Sequence, residues 1–255
     1  MDNMSLKYNI TLQIIDKKKL DQDCFCSSNK KIIKYNPTFN INEVPVTRAL
    51  FDKKFPKFKK VNHSLLKMTN VGVYSIATPE IAATICKYIL KYLGTNKITI
   101  TDALGNVGGM ALMFAHMFDK INVCEIIPLH CKVLINNLKV YGLLDKVNII
   151  CGDYLDYMLK LKQDVIFLDP PWGGHGYKES TELSLCLNNI NIACIINKLL
   201  HRAKYIFLHV PHNFNFDYFF KKLLKSNKNV KINLHSLCDR IDDERAKILI
   251  VISKN

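Results

Sequence analysis

The sequence contains no apolar run of about eighteen residues, the length a helix needs to cross a bilayer, so no membrane span is expected. Its first residues, Met1-Asp-Asn-Met-Ser-Leu-Lys7, lack the apolar core of a signal peptide, and an intracellular protein is expected on that ground. Metal-ligand spacing is missing too. Of nine cysteines, only Cys24 and Cys26 form a close pair, and no second pair completes a zinc set. Most of the others lie in apolar runs and are expected as buried free thiols. The eight histidines show no ligand spacing; His209 and His212 flank Pro211 and are candidates for a loop or pocket rim. Acidic residues are few, 22 Asp and Glu against 36 Lys and Arg, for a formal net charge of +14. That balance favours a polyanionic partner such as nucleic acid. Tryptophan is the scarcest residue: Trp172 stands alone.

Trp172 lies in Val165-Ile-Phe-Leu-Asp-Pro-Pro-Trp-Gly-Gly174. Val165–Leu168 reads as a buried parallel strand. Two prolines, without N–H groups and with fixed φ, end the ladder. Asp169 to Trp172 therefore falls just past the carboxyl end of a strand, where open α/β sheets bind ligands.

Elsewhere the chain alternates. Residues 8–15 and 32–35 read as strands of an N-terminal appendage. Residues 46–70 carry Arg48, Lys53, Lys54, Lys57, Lys59, Lys60 and Lys67, with Phe51, Phe55 and Phe58 interleaved. The cations suit phosphate contacts; the rings suit either base stacking or simple anchoring. Thr78-Pro79-Glu80 opens a helix, with a hydroxyl cap, proline at the first position and an acid at the positive end. Strands then fall at 98–101, 121–124, 147–150, 165–168 and 205–210, with helices between them. The third of these strands is followed by a helix to about 161. Two last strands, 230–234 and 247–252, suggest an antiparallel hairpin at the sheet edge. The expected fold is α/β, a doubly wound and mostly parallel Rossmann-like sheet. An extension over 1–70, with 45–70 its basic and aromatic part, would precede a domain over 71–255.

Four successive strands end in an acid or an acid-containing turn. Thr101-Asp-Ala-Leu-Gly-Asn-Val-Gly-Gly109 follows the first, with glycines at Gly105, Gly108 and Gly109, which is not the dinucleotide spacing G-x-G-x-x-G. Glu125, ending the second, suits a ribose diol. Asp153 can accept from an adenine amino group, with Tyr154 beside it for stacking, and Asp102 can receive an ammonium. Together they describe S-adenosylmethionine laid across the carboxyl edge. Asp169 and the Pro170 carbonyl supply two acceptors for an –NH2 group, a placement that points the nitrogen lone pair at the methyl. Trp172 would stack on the planar system bearing that amine, more strongly if it is cationic.

These residues resemble the trimethylguanosine synthase family, which methylates the 2-amino group of the 7-methylguanosine RNA cap. The resemblance runs from about residue 48 to 212. It rests on Val73-Tyr-Ser-Ile-Ala-Thr-Pro-Glu80, on Asn136-Asn-Leu-Lys-Val-Tyr-Gly142 continuing to Cys151-Gly-Asp-Tyr154, and on Phe167-Leu-Asp-Pro-Pro-Trp-Gly-Gly174. It implies a class I methyltransferase domain using S-adenosylmethionine and acting on capped RNA. It implies cofactor contacts at Asp102, Ala103, Gly105, Gly108, Glu125, Asp153, Tyr154 and Asp169. Asp169, Pro170 and Trp172 would be catalytic. Ser75, Thr78, Pro171 and Trp172 would meet the base, while Arg48, Lys53 and Lys54 would meet the cap from the extension, beside Leu50 and Phe51. The chain departs from the family pattern at Asp169, where familiar members carry Ser; at Gly105 and Asn106, where they carry Cys and Gly; and at Ile127, often an acid. Asp169 also suits methylation of adenine N6 in RNA or DNA, and a methyltransferase-like RNA-binding subunit without activity is a third reading.

Overall fold

A computed structural model describes Cys24, Cys26 and residues 40–237 and 247–255, apart from the His175 side chain. The strands expected at 8–15 and 32–35 lie outside the described residues. Seven strands form one sheet: β1 (Thr99–Asp102), β2 (Lys120–Glu125), β3 (Val147–Cys151), β4 (Val165–Leu168), β5 (Tyr205–Pro211), β6 (Val230–Ser236) and β7 (Lys247–Lys254). Their spatial order is β6-β7-β5-β4-β1-β2-β3. The first five run parallel. β7 is antiparallel to both β5 and β6, so the terminal hairpin closes the sheet edge as the sequence suggests. Strand order reverses between β1 and β4, which is where a doubly wound sheet opens a crevice.

Six longer helices accompany the strands: α1 (Arg48–Lys54), α2 (Pro79–Leu93), α3 (Gly109–Met117), α4 (Pro128–Tyr141), α5 (Ile192–Leu199) and α6 (Phe216–Ser226). Side chains alternate across each strand. In β4, Val165 and Phe167 join a core cluster with α2, α3 and α4 residues, while Ile166 and Leu168 join one with α5 and α6 residues. β4 is buried on both faces, which explains its unbroken apolar run. α2 begins at Pro79 and ends at Gly94, whose φ of 68° suits a residue without Cβ. The Thr78 hydroxyl makes no capping hydrogen bond, contrary to expectation. The helix expected to about 161 is a single turn, Tyr154–Tyr157. Turn bonds to the Tyr157 carbonyl replace it beyond, and Gln163 Nε2 donates to the Met158 carbonyl at 3.2 Å.

The cysteine expectation is corrected. Cys24 pairs with Cys194, Cys26 with Cys186 and Cys131 with Cys151. The first two pairs join residues 170 and 160 positions apart, a proximity only the folded chain creates. Cys86 and Cys124 are buried free thiols as expected. Among the described residues, no helix is long and apolar enough to cross a membrane.

The segment over 40–70 shares the core of the sheet rather than standing off it. Glu43–Val44 and Met68–Thr69 form a small antiparallel ladder. Phe51, Phe55, Leu66 and Met68 are buried with residues of α2 to α4. Phe58 stacks on His116 at 3.9 Å between ring centroids and leans on Tyr141. Of the two roles open to these rings, anchoring is the one observed. Polar bonds add to it. Tyr141 donates to the Pro56 carbonyl at 2.7 Å, and Asn136 to that of Leu65 at 2.9 Å. Asn137, fully buried in α4, accepts from the Lys67 amide and donates to the carbonyls of Lys67 and Val107 at 3.0 Å each.

Asn137 thus ties the basic segment to the glycine loop. Replacing it by Ala would leave buried backbone groups unmatched, and each such loss costs about 1–3 kcal/mol. We expect Asn137→Ala to lower unfolding free energy by about 2–4 kcal/mol in urea titrations, against a near-neutral effect for Lys60→Ala on the exposed face.

Candidate active site

The parallel register brings the acidic residues to one edge. Asp102 ends β1 opposite Phe167 of β4 and Val123 of β2. Glu125 ends β2 opposite Cys151 of β3. Leu168 of β4 stands opposite Leu208 of β5, so the next residues, Asp169 and His209, are neighbours in turn.

Asp102 is 1% exposed. Its Oδ1 accepts from the Leu104 amide at 3.3 Å, while its buried Oδ2 has no hydrogen-bond partner among the described residues. Burial raises its pKa to about 7, and the charges of Asp169 and Glu125 add to the shift. A buried carboxylate oxygen with no partner is rare in a native fold. An ammonium group is the complement it fits.

The loop after β1 makes a narrow floor beside it. The Ala103 amide donates to the Phe167 carbonyl. A Cβ at Gly105 would lie 2.2 Å from Val123 Cγ1, so a Cys there, as in familiar family members, would require the loop to shift. Gly108 has φ of 104° and starts α3. Asn106 adopts φ of 49°, the left-handed conformation that Asn tolerates better than most residues. Its amide donates to Glu125 Oε2 at 2.6 Å and its side chain to Ser75 Oγ at 2.7 Å. Glu125 Oε1 accepts from the Ile127 amide at 2.7 Å. Two backbone amides therefore fix the Glu125 carboxylate and leave each oxygen a further lone pair for a ligand hydroxyl.

Asp153 caps the short helix after β3, with Oδ1 accepting from the Leu155 amide at 3.0 Å. Asn188, in the tight turn between Cys186–Leu187 and Ile190–Asn191, donates to its Oδ2. No sequence signal pointed to that partner. Tyr154 is 2% exposed and belongs to the core cluster with α5 and α6 residues. Its ring, expected beside Asp153 for stacking, lies in the core next to that carboxylate.

At the fourth strand end, Pro170 is buried and Pro171 exposed. Gly173 and Gly174 have φ of 109° and 63°, so the chain turns sharply after Trp172. The indole meets the edges of Tyr177 at 5.3 Å and His209 at 4.9 Å between ring centroids. The Lys247 ammonium lies over its ring at 5.6 Å. Lys247 lies near Lys54 as well: burial first, then the charges of Lys247 and Lys53, lower the Lys54 pKa. Lys54, Lys53 and Lys247 thus lie close enough for their charges to interact. Arg48 lies at the start of α1. It is 69% exposed but bonded to Asp52 at 3.0 Å, which also holds Lys57 at 3.0 Å. Lys67 pairs with Glu43, and Lys59 donates to the Tyr141 carbonyl. Ser75 is bound to the glycine loop through Asn106, and Thr78 lies three residues on, at the start of α2.

Lys247, Asn188 and Tyr177 are neighbours of these residues that sequence reading missed, while His209 was read as a candidate for a loop or pocket rim. Only His209 carried a signal, its position beside Pro211 after an apolar strand.

A family model described as RNA cap guanine-N2 methyltransferase matches residues 97–253. An uncharacterized protein of Acanthamoeba polyphaga mimivirus is 30% identical over 222 residues, covering 83% of this chain and 82% of that one. The trimethylguanosine synthase of Schizosaccharomyces pombe is 29% identical over 183 residues, 66% of this chain and 73% of the other. Among solved structures, a Listeria monocytogenes protein assigned to the class I S-adenosylmethionine-dependent methyltransferases superposes with a TM-score of 0.53. It is 16% identical, over 71% of this chain and 62% of that one, a likeness of fold alone.

Asp102 makes a pH prediction. Its carboxyl holds its proton to about pH 7 when folded, against 3.8 for the ordinary group. Between those values the native state binds more protons than the unfolded chain, so stability falls as pH rises across that window. Thermal melts of the ligand-free protein should therefore show this contribution lost between about pH 4 and pH 7. Asp102→Asn, which cannot ionise, should melt above wild type at pH 8 and converge with it near pH 4. A variant no more stable than wild type at pH 8 would mean that Asp102 ionises without penalty.

Proposed function

The chain belongs to the RNA cap guanine-N2 methyltransferase family, and on that premise we propose that it methylates the exocyclic 2-amino group of a 7-methylguanosine RNA cap. The observation that carries this reading is the meeting of two carboxylates at the β1–β4 crevice. Asp102, with its unpartnered Oδ2, is within electrostatic reach of Asp169, the acid of the Pro-Pro-Trp loop. One end suits the ammonium of S-adenosylmethionine and the other the acceptor amine.

When bound, S-adenosylmethionine supplies an electrophilic sulfonium methyl group. Asp102 holds the ammonium, and Glu125, already oriented by two amides, accepts from the ribose hydroxyls. Asp153 accepts from the adenine amine with the lone pairs that Leu155 and Asn188 leave, and Tyr154 backs it from the core. Asp169 and the Pro170 carbonyl receive the two hydrogens of the guanine 2-amino group, which turns the nitrogen lone pair toward the methyl. Trp172 stacks on the base. Its face already draws one cation, Lys247, and a 7-methylated purine presents another, worth about 1–2 kcal/mol there. Lys53, Lys54 and Lys247 supply positive charge for the phosphates of the cap.

One observation favours a second reading. Asp169 is the acid that adenine N6 methylation also uses, in place of the Ser of familiar relatives. Incubating the protein with S-adenosylmethionine and either a 7-methylguanosine cap analogue or adenosine oligonucleotides, then measuring mass gain, separates the two. We expect a gain on the cap; a gain on adenosine alone would replace the reading. Trp172→Ala should lower kcat/KM on the cap by about tenfold to a hundredfold, the worth of one stacked base. Calorimetry should find its cofactor affinity unchanged, and Trp172→Phe should recover part of the loss. Unchanged turnover in the Ala variant would remove the stacking role.

A further inference from the structure

His209 lies near the carboxyl end of β5, where a polar side chain ordinarily either leaves for solvent or finds a hydrogen bond. It does neither. The imidazole is 2% exposed, and among the described residues neither ring nitrogen has an aligned hydrogen-bond partner. Nδ1 nonetheless lies 3.1 Å from Asp169 Oδ1, close but off the N–H axis. Such contacts commonly align only when substrate closes the site. The same ring packs at 65° against Trp172. One buried imidazole thus touches both working groups of the methyl-transfer loop, a coincidence fixed by the β4–β5 register. The groups around it are few. Asp169 faces it from β4 and Asp102 stands beyond that on β1. Tyr177 and Lys247 flank the far sides of Trp172, and His212 lies three residues on. Its neighbour across the β5–β7 ladder is Leu249, which carries no charge.

We infer that His209 is a positioning residue for methyl transfer: its Nδ1–H binds Asp169 Oδ1, leaving Oδ2 turned to the acceptor amine, and its ring supports the indole. This rests on the reading of Asp169 as the amine-holding group. In the step so arranged, the nitrogen lone pair forms the N–C bond while the C–S bond of the sulfonium donor breaks. The electron pair of that bond returns to sulfur. The nitrogen, now positively charged, releases one proton to Asp169 Oδ2, and the neutral N-methylated base leaves. A carboxylate free to rotate would offer either oxygen, or neither, at that moment. His209 removes the choice.

Two variants separate the nitrogen from the ring. His209→Phe keeps the aromatic contact with Trp172 and deletes Nδ1. His209→Asn gives up the ring but retains a donor near the Nδ1 position. On a 7-methylguanosine cap analogue, we expect His209→Phe to lower kcat about tenfold to a hundredfold, as misplacement of a reacting group does. Its KM should change less than about threefold and its cofactor affinity by calorimetry not at all. His209→Asn should restore part of the lost kcat. Nitrogen-15 NMR gives a readout apart from turnover: the wild-type His209 ring should be held with its proton on Nδ1, and Asp169→Asn should release that preference. A His209→Phe enzyme with wild-type kcat, or a ring tautomer indifferent to Asp169→Asn, would overturn the inference. If the wild-type protein leaves the cap unmethylated, the substrate reading fails. The NMR comparison still decides whether His209 orients Asp169.

Discussion

Everything at the candidate active site depends on one parallel ladder. β4, β1 and β2 carry Asp169, Asp102 and Glu125 at their carboxyl ends, and the register sets how far each reaches beyond its neighbour. A slip of one residue would turn each acid to the opposite face of the sheet and bring an apolar side chain into the crevice. Burial on both faces resists such a slip, because Val165 and Phe167 fill one core and Ile166 and Leu168 the other. The arrangement carries an electrostatic cost. Asp102 loses its water at the centre of the sheet, and among the described residues its Oδ2 has no partner. The cationic ligand proposed for this site would relieve that penalty.

A second constraint joins the two substrates' sides. Asn137 connects Lys67 to the Val107 carbonyl of the glycine loop, and Asn106 connects that loop to Ser75 and to Glu125. Residues before α2 are thereby fastened to the loop proposed to cradle the methyl donor. The basic segment is held by Phe51, Phe55 and Phe58 in the core, so its position depends on packing rather than on the ligand. Charges that look alike in the sequence then divide. Arg48, Lys57 and Lys67 are taken up by Asp52 and Glu43, while Lys54 lies close enough to Lys247 for their charges to interact.

The sheet and its acids were legible in the sequence because their signals are local. Val165–Leu168 is bounded by prolines that no ladder can use, and the structure gives the strand the same bounds. Strand ends at Asp102 and Glu125 followed from apolar runs interrupted by one acid. Features that depend on distant partners were not legible. The same pattern of lysine and phenylalanine serves a nucleic-acid face or a buried anchor, and His116 and Tyr141, far along the chain, decide which. Cys24 and Cys194 are 170 residues apart, so redox compartment alone misled. Tyr154 follows Asp153 in the sequence, yet its ring turns into the core, among side chains that only the folded chain brings together.

His209 belongs to the same class of long-range features, and it bears on the one departure that matters most. A Ser at position 169 would offer a neutral hydroxyl, able to donate as well as accept. Asp169 can only accept while ionised, so it binds an amine's hydrogens firmly but needs its rotation fixed and its charge tolerated in a half-buried loop. An imidazole 3.1 Å away answers both needs. The two residues lie forty positions apart and meet only through the β4–β5 register. Asp169 is therefore better understood with its neighbour than as a lone substitution. With Asp169 as the amine-holding acid and Trp172 as the stacking surface, as proposed, preference between guanine N2 and adenine N6 would fall to the shape of the space between them. The edge-on contacts of Trp172 with Tyr177 and with the buried His209 orient the indole that would bound that space.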